Sequence, residues 1–126
     1  MTSPKRIQRK RTAGWRMPEG AVYVGRPSLF GNPWATDRRG KTAGPGCGKG
    51  VYGPHAEQIF RCWLGQPMGD DEPHIPLAVM RSFATLAARR NRIIAELPTL
   101  RGKTLACWCG VDSPCHADTY VRAANR

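Results

Sequence analysis

Residues 105–118 read LACWCGVDSPCHAD, a stretch that holds three of the chain's five cysteines and one of its three histidines. Cys107, Cys109, Cys115 and His116 form the pattern C-x-C-x5-C-H, and three thiolates with one imidazole are the donor inventory of a tetrahedral zinc site. The same residues carry a second chemistry. A cysteine in the first turn of a helix meets unpaired N–H groups and the positive end of the macrodipole, which lower a thiol's pKa. Cys115 as nucleophile, His116 as general base and Asp118 as a nearby carboxylate would then act on an electrophilic carbon. A third reading treats Cys107 and Cys109 as small hydrophobes of a buried strand.

Spacing bears on the choice. If KTLACWC (103–109) is one extended strand, Cys107 and Cys109 share a face but lie nearly two rises of about 3.3 Å apart. Sulfurs held about 2.3 Å from one ion converge more closely than that. The thiol chemistry is therefore the leading expectation, with structural zinc on Cys107, Cys109, Cys115 and His116 as the alternative.

A second constellation lies in GRPSLFGNPW (25–34). The loop presents Arg26, Ser28 and Asn32: Arg26 suits a phosphate or carboxylate, Asn32 suits the edge of a base or a ribose hydroxyl, and Phe30 and Trp34 are able to stack on a base. Read as a plain turn, the same segment has Gly31 at positive φ, Asn32 in a local backbone bond and the aromatics in the core. The Gly-rich GPGCGKG (44–50) has the glycine density of a phosphate cradle without its spacing, because Lys49 is followed by Gly50 and not by Ser or Thr.

Twenty Lys and Arg against nine Asp and Glu give a formal charge of +11 and a pI near 10.2. Such an excess predicts a polyanionic partner, since each phosphate contact releases counterions. Lys5, Arg6, Arg9, Lys10, Arg11 and Arg16 precede the first acid, Glu19. They are the expected nucleic-acid-binding residues, on an arm anchored at Trp15. No apolar run spans a bilayer and no signal-peptide core is present, which predicts a cytoplasmic protein without a membrane partner. A reducing compartment turns five cysteines toward metal, catalysis or packing and away from disulfides.

The elements that position these residues follow from periodicity. AVYVGR (21–26) reads as a short buried strand, and 27–34 as a loop. Residues 35–53 read as a mobile Gly-rich surface loop. HAEQIFRCWL, with Ala56, Ile59, Phe60, Trp63 and Leu64 at helical spacing, is an amphipathic helix starting near Pro54. A break over 65–76 carries Asp70, Asp71 and Glu72. One longer helix is predicted over 77–96, ending before Pro98. The last helix has Ser113 as N-cap and Pro114 at its first position. Strands separated by helices need crossovers, so the expected fold is α/β: a single-domain, Rossmann-like, mainly parallel sheet flanked by helices. The expected organisation is a basic, partly packed arm at 1–20 and a domain at 21–126 with a flexible insertion near 35–53. Ligands of such sheets gather at the strands' carboxyl ends, so the loops after 21–26 and 103–109 would share one rim.

PKRIQRKRTAGWRMP, VYVGRPSLFGNPW and LRGKTLACWCGVDSPCHAD, in that order, resemble the domain-of-unknown-function family 4326, common in actinobacteria and their phages. The resemblance implies that Arg26, Gly31, Asn32, Pro33, Cys109, Cys115, His116 and Asp118 matter, while 35–76 departs from the family pattern and inherits nothing. The cysteine-histidine segment also resembles that of family 488, which implies a Rossmann-like arrangement by analogy.

The leading expectation is a nucleic-acid- or nucleotide-binding protein, acting as a hydrolase or transferase on a base or N-glycosidic bond. Cys115, His116 and Asp118 would carry the chemistry, and Arg26, Ser28, Gly31, Asn32 and Trp34 would bind the ligand. The alternatives are a non-catalytic nucleic-acid-binding module with a structural Cys3His zinc site, and a phage-type inhibitor of a host protein.

Overall fold

The computed structural model describes residues 5–68, 74–110 and 114–125. The acidic cluster Asp70, Asp71 and Glu72 and the expected N-cap Ser113 lie outside the described residues. The chain is a mixed α/β protein. It divides into two compact units, one built from 1–31 with 95–126 and one from 32–94.

The first unit holds a parallel sheet. β1 (Arg6–Gln8), β2 (Val22–Tyr23) and β6 (Leu105–Cys107) stand in the order β1-β6-β2, with Val22 opposite Leu105 and Gln8 opposite Cys107. The ladder runs past the strand ends through Val24 N to the Ala106 carbonyl at 2.9 Å and Arg9 N to the Cys107 carbonyl at 2.7 Å. All three residues of β6 are buried, as the middle strand of a covered parallel sheet requires. α4 (His116–Ala124) packs on β1, on β6 and on a 3-10 helix, Leu97–Leu100. It buries Ala117, Tyr120 and Ala124, and the Tyr120 ring meets Phe30 edge-on at 5.3 Å. The stretch expected as an arm thus contributes an edge strand. Its pairing is earned by alternation: Arg6 and Gln8 reach one side, Ile7 the other.

The second unit begins with an antiparallel meander, β3 (Ala35–Thr36), β4 (Lys41–Ala43) and β5 (Val51–Tyr52). Residues 35–53 therefore hold a sheet where the sequence predicts an irregular loop, and the protein's strand pairing is half parallel rather than mainly so. The glycines of 44–50 serve this turn. Gly46 has φ +78°, and a Cβ there would collide with the Ala78 carbonyl.

α1 (Ala56–Leu64) starts at a capping box. The His55 Nδ1 accepts from Glu57 N at 3.0 Å, and His55 N donates to Gln58 Oε1 at 2.9 Å, so two of the helix's orphan donors are satisfied. At its other end Arg90 donates to the carbonyls of Trp63 and Leu64 at 2.8 and 3.2 Å. The predicted 77–96 helix is broken into α2 (Leu77–Thr85) and α3 (Ala87–Glu96) at Leu86, whose φ of −102° and ψ of 7° leave the helical region. Trp34, Ile59, Phe60, Trp63, Val79 and Ile93 form the core, with Trp34 edge-on to both Trp63 and Phe83 at 5.7 Å.

Candidate metal centre

Because β1, β2 and β6 are parallel neighbours, the segments that follow them leave one edge of the sheet. β6 stops at Cys107, and the chain bends at Trp108 and Cys109. That bend removes the separation an extended strand would impose. Cys107 Sγ lies 3.8 Å from Cys109 Sγ, and the sulfurs of Cys107, Cys109 and Cys115 all lie within 4.8 Å of one another. Two sulfurs bound at about 2.3 Å and the tetrahedral angle stand about 3.8 Å apart. The strand geometry that weighed against zinc in the sequence is thus absent at the residue where it mattered.

Cys115 is the N-cap of α4, with extended φ −151° and ψ 142°, and its side chain makes no capping hydrogen bond. The helix starts two residues later than predicted, at His116, and Pro114 precedes it. This places Cys115 where its sulfur faces the Cys107 and Cys109 thiols.

His116 is buried. Its Nε2 is 2.7 Å from the Val24 carbonyl, and its Nδ1 is 3.6 Å from Cys115 Sγ. A carbonyl only accepts, so Nε2 carries the hydrogen and Nδ1 presents its lone pair toward the cysteine. Burial holds the imidazole below its ordinary pKa, against the pull of the Val24 carbonyl, and keeps it neutral.

The three thiols act on one another: contact with the Cys109 and Cys115 sulfurs holds the Cys107 pKa down, while Cys109 and Cys115 are raised, each chiefly by its contact with Cys107. Three sulfurs this close to one another are a donor set suited to a soft or borderline cation. Cys115 is 2% exposed and its pKa is raised, the reverse of the shift a helix-start nucleophile requires.

Asp118, expected as the carboxylate of a Cys-His-Asp set, pairs instead with Arg6. Asp118 Oδ1 is 3.1 Å from Arg6 Nε, and Arg6 Nη2 donates to the Gly110 carbonyl at 3.0 Å. Arg6, expected on nucleic acid, has a side chain only 5% exposed. It ties β1 to the segment after Cys109 and to the first turn of α4. Gln8 reaches the Trp108 carbonyl at 3.5 Å from the same strand.

The expected ligand loop is divided. Ser28 Oγ donates to the Gly25 carbonyl at 2.7 Å, Gly31 N donates to the Ser28 carbonyl at 3.0 Å, and Tyr23 Oη donates to the Arg26 carbonyl at 2.6 Å. Arg26 is exposed. Gly31 does not take positive φ; it is small because a Cβ would crowd the Arg26 backbone at 3.2 Å. Asn32 and Trp34 belong to the other unit. Asn32 Oδ1 accepts from Trp34 N at 2.9 Å and its Nδ2 donates to the Ala56 carbonyl at 3.1 Å. Trp34 is 1% exposed and donates through Nε1 to the Pro45 carbonyl at 2.9 Å. An enclosed ring offers no face for a base, so the core reading of Trp34 replaces the stacking one.

Among the basic residues, Lys5, Lys10, Arg11 and Arg16 are exposed and Arg9 is half-buried. Arg9 lies over the rings of Tyr23 and Trp108 at 4.8 and 5.0 Å, and Arg11 lies over Trp108 at 4.8 Å. Sequence reading named the arginines and missed both rings. The signal available was a tryptophan set between two cysteines at a strand's end. The Val24 carbonyl that fixes His116 is a backbone atom and has no sequence signature.

A parallel sheet with a three-thiol cluster at its carboxyl edge, together with a helical unit that carries an antiparallel meander, defines a mixed α/β protein with a cysteine site. The chain belongs to the family described as Domain of unknown function (DUF4326), whose model matches residues 7–126. No curated protein and no solved structure matches the chain significantly. Among the described residues no helix is long and apolar enough to cross a membrane.

Proposed function

We propose that this chain is a nucleic-acid-binding module whose sheet edge is locked by a structural zinc ion. Cys107, Cys109 and Cys115 are its sulfur ligands, and His116 Nδ1, which touches Cys115 Sγ at 3.6 Å but stands outside the group of three mutually close sulfurs, is the fourth donor this reading calls for. The observation that carries the reading is the convergence of three sulfurs within 4.8 Å. The His116 Nε2–H bond to Val24 supports it, because metal-bound imidazoles commonly donate their other N–H to a backbone carbonyl. The charge of +11 supports a polyanion as partner. A Rossmann-like assignment of the sheet rests on its parallel order and on the site's place at the carboxyl edge. A cytoplasmic location accords with thiols kept reduced.

A second reading makes Cys115 and His116 a thiol-imidazole pair acting on a base or N-glycosidic bond, and it draws on their 3.6 Å contact. Native mass spectrometry of protein purified without chelator separates the two. A mass excess of one zinc ion, lost on denaturation, is the expected result. A bare polypeptide mass, with one thiol alkylated rapidly by iodoacetamide in the folded state, overturns the zinc reading in favour of the second.

A further inference from the structure

We infer that Arg11, Trp108, Arg9 and Tyr23 form a stacking surface for unpaired nucleotides of a single-stranded nucleic acid. The inference rests on the nucleic-acid reading above and gives it a site and a substrate class.

The four side chains alternate cation and ring. Arg9 Cζ lies 4.8 Å from the Tyr23 ring centre and 5.0 Å from that of Trp108, and Arg11 Cζ lies 4.8 Å from Trp108. All three distances fall within the roughly 6 Å range of cation–π attraction. Because Arg9 touches both rings, the contacts join into one ladder. Its members come from all three strands of the parallel sheet: Arg9 just after β1, Tyr23 at the end of β2, Trp108 just after β6. The ladder therefore follows the sheet's carboxyl edge across its width.

Three features mark it as a ligand surface. Trp108 is 38% exposed, a large ring left in water on a chain of mean hydropathy −0.48. Neither Arg9 nor Arg11 has a carboxylate partner among the described residues; the ion pairs there are Arg6–Asp118 and Arg61–Glu57. Exposed Lys10, between Arg9 and Arg11 in the chain, adds charge. A guanidinium lying on a ring keeps its N–H edge free for phosphate oxygens and offers its own plane to a base. The rings also fix the arginines in advance, so less side-chain freedom is lost on binding.

This chemistry favours a single strand over a duplex. In a duplex the base faces are stacked inside and only phosphates reach the arginines, which leaves the rings without work. An unpaired base has an open π-face, and aromatic stacking on it tolerates any sequence.

The test is fluorescence anisotropy of the zinc-loaded full chain with a labelled oligothymidylate of about 12 nucleotides, near the site size of small single-strand binders, and with a duplex of equal length. W108A is expected to weaken single-strand binding about tenfold and to change duplex binding less than about twofold. R11Q, which lies off the cysteine segment, is expected to weaken the single strand about fivefold. R39Q, which removes one exposed charge from the other unit, serves as the charge control. Equal effects of R11Q and R39Q, or duplex binding as tight as single-strand binding, overturn the stacking surface while nucleic-acid binding stands. Binding of neither probe at low salt overturns the nucleic-acid reading and the surface with it.

Discussion

Arg6 and Asp118, from opposite ends of the chain, meet at 3.1 Å between Nε and Oδ1. The arginine is enclosed and the carboxylate is 40% exposed, so the pair is asymmetric. Removing Arg6 takes away the Gly110 contact as well and leaves a void beneath the cysteine segment. R6A is expected to lower unfolding free energy by about 2–3 kcal/mol, below the full cost of a buried pair because water screens Asp118. D118N is expected to cost less than about 1.5 kcal/mol, since Arg6 keeps its carbonyl partner. Urea unfolding of both variants measures the difference; equal losses would contradict the asymmetry.

Metal binding in the proposed site is cooperative in its ligands. C107S, C109S and C115S are each expected to purify without zinc, whereas C47S, whose thiol is buried in the other unit, keeps it. Chelation of the wild type is expected to lower the thermal midpoint by at least about 5 °C, because affinity for a structural ion is folding free energy. Zinc analysis of the four variants, with thermal scans in chelator, checks both statements.

Trp34 holds the second unit together. W34A removes a ring enclosed by Trp63 and Phe83 and takes the 2.9 Å Nε1–H bond from the Pro45 carbonyl, which keeps Ser82 Oγ at 3.3 Å. It is expected to cost about 3–5 kcal/mol, against less than about 1 kcal/mol for T85A on the exposed face of α2. Far-UV circular dichroism through a urea titration reports the loss.

His55 gives α1 a pH limit. Burial depresses its pKa below 6.5, against the attraction of Glu57, and the neutral Nδ1 is what accepts from Glu57 N. The unfolded chain therefore takes up the proton first. Stability is full above about pH 6.5 and falls as pH drops through the depressed value. H55A, which lacks the cap, is expected to cost about 1 kcal/mol at pH 8 and to lose that part of the acid sensitivity. Thermal midpoints of both proteins between pH 8 and pH 5 make the comparison.

The cysteine-histidine cluster was legible because its donors are close in sequence. Its geometry was not, because extending the strand from Cys107 to Cys109 assumes a straight backbone where the chain bends at Trp108. α1 was legible from five apolar residues at helical spacing, and its neighbour over 77–96 was not, because nothing in FATLAARRN marks the break at Leu86. β3, β4 and β5 hid among glycines and lysines. Two- and three-residue strands held by threonine hydroxyls, such as the 2.7 Å Thr36–Thr42 pair, have no apolar alternation to read. Arg6 was misjudged for a general reason: charge reads as surface unless its partner is known, and Asp118 is distant in sequence.

The order of the strands in space has a consequence for synthesis. β1 and β2 hydrogen-bond to β6 and not to each other, and all of 32–94 is translated between β2 and β6. That contiguous segment forms a compact unit of its own. Ribosomes add about 5–20 residues per second, so β1 and β2 wait on the order of seconds with their edges open. The strand that ends the wait brings Cys107 with it, so the sheet and the thiol cluster are completed by the same late segment of the chain.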